Sequence, residues 1–156
     1  VMAVNEKQKT VLTPHILEYF GNNIKGKRFA MWGLAFKPDT DDIREAPALY
    51  IIDELVSKGA SVKAYDPEAM SNVQNQIGDK IEYALDQYDA LNQADALIIC
   101  TEWAVFRTPD FDQASKLLKN KAIFDGRNLY GTEKMQELGY YYKSIGRETV
   151  KQWKRY

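Results

Sequence analysis

Lys37, Arg44 and Arg127 are cations placed where apolar runs give way to polar loops, a placement suited to an anionic ligand. Lys37 directly follows the run Phe29 to Phe36 and heads the loop Lys37 to Glu45, which carries two cations among four acids. A flexible ammonium there can reach a phosphate or a sugar hydroxyl. Arg127 follows Asp125-Gly126 behind another apolar run, and its planar guanidinium suits bidentate contact with phosphate, or stacking. Taken alone, an arginine after a turn is an ordinary surface residue. Two strand ends that each deliver a cation to one rim weigh against that reading. Asp39, Asp41 and Asp42 read as a solvated loop with local ion pairs.

Other reactive residue types carry less. Asp66 stands where dinucleotide folds place the acid that holds ribose hydroxyls, but Pro67 follows at once, and a capping or turn role is at least as well supported. The loop at 33–45 holds Gly33 alone where a nicotinamide-binding turn would show GxGxxG, so glycine amides are not expected to bind a pyrophosphate here. Cys100 lies inside the apolar ALIICT and reads as an inert buried thiol, with the lone His15 far away in sequence. Trp103, Phe106 and Tyr140-Tyr141-Tyr142 read as core or interface aromatics. No zinc-ligand spacing occurs, so no metal is expected.

The elements that must position these residues alternate. Residues 3 to 20 read as a helix, with Val4, Val11, Leu12, His15, Ile16 and Tyr19 on one face and a break expected near Thr13, before Pro14. Strands are expected at 29–36, 62–65, 81–83, 96–101, 122–125 and 140–144. Helices are expected at 47–57, 84–92, 111–118 and 132–138, with a further helical stretch after Pro67. Pro47 suits a first helical position, and Gly59 lies just past that helix's end. This alternation predicts an α/β fold, a Rossmann-like open parallel sheet of about six strands with helices on both faces, preceded by an N-terminal helix. Ligands of such sheets bind at the carboxyl ends of the strands.

Bulk composition narrows the function. The 156 residues suit one domain, and 45% hydrophobic with 28% charged residues is a globular balance. A net charge of −1 without a basic stripe argues against nucleic acid, and the run Lys151, Lys154, Arg155 reads as a solvated tail. No apolar run approaches the ~20 residues of a membrane span. One cysteine and the absence of a signal peptide fit a cytoplasmic protein. The chain opens on Val1 rather than Met, which reads as a fragment.

The blocks GLAFKPDTDDIREAP (33–47), KAYDPEAM (63–70), ADALIICTEWAVFRTPDF (94–111), IFDGRNLY (123–130) and SIGR (144–147) resemble the C-terminal domain of the UDP-glucose 6-dehydrogenases. Together they cover most of residues 28 to 147 in the family's order. Residues 1–22 resemble the end of the central helix that links the family's two domains and carries much of its homodimer interface. Residues 23–156 resemble the UDP-sugar-binding domain. The resemblance implies oxidation of the C6 alcohol of UDP-glucose to UDP-glucuronate, with two NAD reduced in succession and a thioester on a cysteine. That cysteine belongs to a GGxCxPKD-type motif, and NAD to an N-terminal GxGYVG-type fingerprint; neither occurs here, so the chain alone is expected to lack turnover. Within the matched motifs, Phe36, Lys37 and Arg127 correspond to substrate contacts, and Arg44 to a contact with NAD across the domain cleft. Ala46 departs from the serine common in relatives, which removes a helix N-cap. Two alternatives stay open: the same domain from a UDP-N-acetylmannosamine or GDP-mannose dehydrogenase, and a stand-alone, non-catalytic nucleotide-binding module.

Overall fold

The computed structural model describes residues 12–151. The expected helical start at 3–11 and the basic Lys154 and Arg155 lie outside the described residues. Six strands form one sheet: β1 (Arg28–Trp32), β2 (Ser61–Tyr65), β3 (Glu82–Tyr83), β4 (Ala96–Ile99), β5 (Ala122–Asp125) and β6 (Tyr141–Lys143). Their order is β3-β2-β1-β4-β5-β6, and every neighbouring pair is parallel. Strands β4 and β5 are buried throughout, and β1 beyond Arg28. Sequences of that kind read as continuous apolar runs because helices cover both faces. β2 lies nearer the edge and alternates instead.

The strand order reverses between β1 and β4, which makes their carboxyl ends the place for a ligand. Both strands stop earlier than their apolar runs. β1 ends at Trp32 rather than Phe36 because Gly33 takes φ 97° and turns the chain. A Cβ on Gly33 would stand 2.5 Å from Thr101 Cβ, so the two loops can touch only there with glycine. Leu34 and Ala35 stay buried beyond the strand, as Cys100 and Thr101 do beyond β4, and burial outside the ladder is what lengthened the expected strands.

Helix α1 (Leu12–Tyr19) includes Thr13 and Pro14, and the chain on the N-terminal side of the expected break lies outside the described residues. Pro14 stands in the first turn of the described helix, where its missing N–H removes no hydrogen bond from Leu12 onward. Leu12 and Ile16 are buried in the same core as the sheet, and Tyr19 meets the ring of Tyr141 at 4.5 Å. Helix α2 (Pro47–Ser57) starts behind Ala46, which gives no side-chain cap, and stops at Lys58-Gly59, where Gly59 has φ 91°. Helices α3 (Met70–Ile77), α4 (Gln87–Leu91), α5 (Phe111–Leu117) and α6 (Thr132–Glu137) complete the alternation. Asp86 and Asp110 cap α4 and α5 through the amides of Asp89 and Gln113. Phe106 and Trp32 stack at 5.0 Å in the core, and Tyr140 and Tyr142 are buried with them. No helix among the described residues is long and apolar enough to cross a membrane.

Candidate functional site

Asp66 closes β2 and is fully buried, yet every bond it makes is with its own chain. Its Oδ2 accepts from the amides of Leu34 (2.7 Å) and Ala35 (3.0 Å) and from the indole of Trp103 (3.1 Å). Its Oδ1 accepts from the amides of Glu68 and Ala69, both at 2.8 Å. Five donors on one carboxylate leave nothing for a ribose. The turn reading therefore holds, since the helix that follows begins behind Ala69 without a side-chain cap, and the ribose reading of Asp66 does not. The carboxylate does more than hold that turn, because it ties the loop after β1 to the loop after β4.

The remainder of the first loop is held open towards solvent. Thr101 Oγ1 donates to the Ala35 carbonyl at 2.8 Å, and the Phe36 amide donates to the Asp42 carbonyl at 2.7 Å. Between those two ties the chain turns outward, so Phe36 is 44% exposed and Lys37 is exposed beside it. Arg127 arrives from the loop after β5. Its Nη2 donates to the Phe36 carbonyl at 3.1 Å and its Nε to the Cys100 carbonyl at 3.2 Å, while Glu102 Oε1 lies 3.3 Å from Nε. One guanidinium thus joins the loops that follow β1, β4 and β5, and its Phe36 acceptor immediately precedes Lys37 in the chain. Arg44 belongs to the same loop but is turned to Asp42, with contacts at 3.1 and 2.9 Å, and its side chain is 88% exposed. Those hydrogen bonds hold the Asp42 carboxyl down at about 2. This is the local ion pairing expected of the acidic loop.

A second buried acid fixes the loop that carries Arg127. Asp125 Oδ1 accepts from the Arg127 amide (2.8 Å), and Oδ2 accepts from the Leu129 amide (2.7 Å) and the Tyr142 hydroxyl (2.6 Å). Arg147 Nη2 donates to the same hydroxyl at 3.0 Å, and Nη1 to the Tyr130 carbonyl at 3.0 Å. Burial, then the neighbouring Asp125, push the Tyr142 phenol well above its ordinary range, so it stays a donor. Asn128, at φ 56°, exchanges two hydrogen bonds with the backbone of Ile145. The DGRN and SIGR blocks are therefore two halves of one brace. From the sequence, Tyr142 reads as a core or interface aromatic, which its burial bears out, while Asp125 and Arg147 have no assigned role. The available signal was the co-occurrence of those blocks, which carries no chemistry until β5 and β6 are known to be neighbours.

Cys100 is 4% exposed, and burial pushes its thiol up to about 12, with Asp125 adding to the rise and Arg127 opposing it. The thiolate is the reactive form, so the group should be inert near neutral pH. Thiol reagents should leave the folded chain unlabelled at neutral pH and label it fully in denaturant; rapid labelling of the native chain would contradict this. The folded thiol holds its proton more tightly than the unfolded one. Stability linked to it is therefore intact below pH of about 9 and is lost as pH rises towards about 12. His15 is held below its ordinary value, first by burial and then by Lys143, and it lies on α1.

Comparison with known proteins places this geometry. Residues 30–132 match the family described as the UDP-glucose/GDP-mannose dehydrogenase family, UDP binding domain. The chain is 43% identical over 151 residues to the UDP-glucose 6-dehydrogenase TuaD of Bacillus subtilis (strain 168), which covers 97% of this chain and 32% of that protein. The chain therefore spans about a third of the length of the curated relatives it matches. A solved UDP-glucose dehydrogenase from the archaeon Pyrobaculum islandicum superposes with a TM-score of 0.71 at 32% identity, over 81% of this chain and 27% of that one. The NDP-N-acetyl-D-galactosaminuronic acid dehydrogenase of Methanosarcina mazei Go1 gives 0.75 at 32% identity, over 90% and 29%. The loops built by Asp66 and Asp125 fall inside the matched span, and the chain belongs to the UDP-glucose/GDP-mannose dehydrogenase family, of which it carries the UDP-binding domain.

Proposed function

We propose that this chain grips the diphosphate of UDP-glucose for an NAD-dependent UDP-glucose 6-dehydrogenase, with Lys37 and Arg127 as the cations and Phe36 as a further substrate contact. The observation that supports the proposal is the 3.1 Å contact from Arg127 Nη2 to the Phe36 carbonyl, which ties the guanidinium to the residue immediately before Lys37, in the loop after β1 where the strand order reverses. Two cations on a rigid rim match a diphosphate in charge and fix its direction. Holding the sugar in one orientation accelerates a reaction at C6 without these residues taking part in the chemistry. That reaction is oxidation of the C6 alcohol to a carboxylate, and the inert state of Cys100 supports a nucleophile from another part of the enzyme.

The chain's own loops do not fit NAD. Gly33 is the one glycine of its first loop, and Asp66 takes the amides of Leu34 and Ala35, which in a dinucleotide turn would face a pyrophosphate. NAD is assigned to a separate N-terminal domain, with Arg44, exposed though paired to Asp42, proposed to reach it across the cleft. The same proposal includes a cytoplasmic homodimer in the intact enzyme, with the sequence of residues 1–22 resembling the end of the family's central linking helix. A second reading changes the nucleotide sugar to UDP-N-acetylmannosamine or GDP-mannose; the Methanosarcina neighbour, named for an N-acetylated sugar, favours keeping it open. Titrating the ¹⁵N-labelled chain with UDP, UDP-glucose and GDP decides among these. Saturable shifts at residues 36, 37 and 127 are expected, with UDP tighter than GDP. Tighter GDP binding would overturn the assigned nucleotide, and no shift with any of the three would overturn the site.

A further inference from the structure

The loop after β4 sets a carboxylate beside the cation assigned to the diphosphate. Glu102 Oε1 lies 3.3 Å from Arg127 Nε, yet this oxygen is buried and makes no hydrogen bond of good geometry. A buried oxygen left in that state costs stability, so its retention requires a reason. Orientation of Arg127 is not the reason. The Cys100 and Phe36 carbonyls already accept from Nε and Nη2, and two backbone acceptors on different loops fix the plane of a guanidinium. Direct contact with a ligand through Oε1 is also ruled out, because that atom is inaccessible. What remains is charge. Each side chain of the pair is 30% exposed, so the two interact outside bulk water, where Coulomb forces are several times stronger than in solvent.

We infer that Glu102 limits the affinity of the site for anions by partly neutralising Arg127. With that brake, Arg127 alone holds a single phosphate weakly, and a ligand must also reach Lys37 to bind well. A nucleoside diphosphate is thereby preferred over inorganic phosphate, and a product bearing the same diphosphate leaves readily. The inference rests on the diphosphate reading of Lys37 and Arg127 given above.

The test is a double-mutant cycle on UDP affinity, read by NMR titration, with thermal unfolding run on every variant. Glu102→Gln keeps the shape of the side chain and removes its charge. It should tighten UDP by about tenfold, equivalent to ~1.4 kcal/mol, and shift the Arg127 Nε–H resonance of the ligand-free chain. The gain should vanish in an Arg127→Ala background, because the effect acts through that residue. If Arg127→Ala weakens UDP binding while Glu102→Gln leaves it unchanged or weaker, this inference fails and the diphosphate site stands. If neither Arg127→Ala nor Lys37→Ala alters UDP binding, the site reading itself fails.

Discussion

Arg127→Ala should lower the affinity for UDP about a hundredfold, equivalent to ~3 kcal/mol, the scale of losing charge-assisted hydrogen bonds in a partly dry site. The loss has two sources. The ligand forfeits a fixed guanidinium, and the Phe36 carbonyl forfeits the donor that ties the first loop to β5. Arg127→Lys separates them. An ammonium restores the charge but cannot donate to the Cys100 and Phe36 carbonyls in the planar geometry that the guanidinium uses. Its affinity should therefore fall between those of wild type and Arg127→Ala. NMR titration measures the affinities, and thermal unfolding should show both variants folded, since the brace from Asp125 reaches the residue 127 amide and not its side chain. An unchanged UDP affinity in folded Arg127→Ala would remove the basis of the proposed function.

Much of the fold beneath the proposed site was legible in the residues, for identifiable reasons. Buried parallel strands advertise themselves as apolar runs, so β1, β4 and β5 were locatable, and the β5 and α2 boundaries agree with the expected ones. A cation placed immediately after such a run must stand near a strand end, which is why Lys37 and Arg127 stood out. What stayed hidden depends on pairings between distant segments. Nothing in ALIICTEW reveals that Glu102 reaches Arg127, or in YYKSIGR that Arg147 props the Tyr142 hydroxyl, until β4, β5 and β6 lie side by side. Strand ends were overestimated for the same reason, since tertiary contacts bury Leu34, Ala35, Cys100 and Thr101 without any ladder. Asp66 shows the limit most clearly. Its position after β2 suits either a ribose or the chain's own amides, and only the fold decides.

Asp66→Ala should destabilise the chain by ~4 kcal/mol, a large share of the ~5–15 kcal/mol that holds a domain of this size together. The substitution leaves the amides of Leu34, Ala35 and Ala69 and the Trp103 indole without their acceptor in a buried region, and each orphaned donor carries its own desolvation cost. Asp66→Asn retains one acceptor oxygen but turns an amide donor towards amide donors, so it should rescue only a minor part of the loss. Denaturant titration with a fixed m-value measures both. The effect on ligand should follow from the effect on the loop: Leu34 and Ala35 are the residues that lead into Phe36 and Lys37, so a chain that still folds should bind UDP more weakly than wild type. If Asp66→Ala folds with undiminished stability, the carboxylate is not the knot of the loops. The amides of Leu34 and Ala35 would then be free for an anion, as in a dinucleotide-binding turn, and the assignment of NAD to another domain would lose its main support.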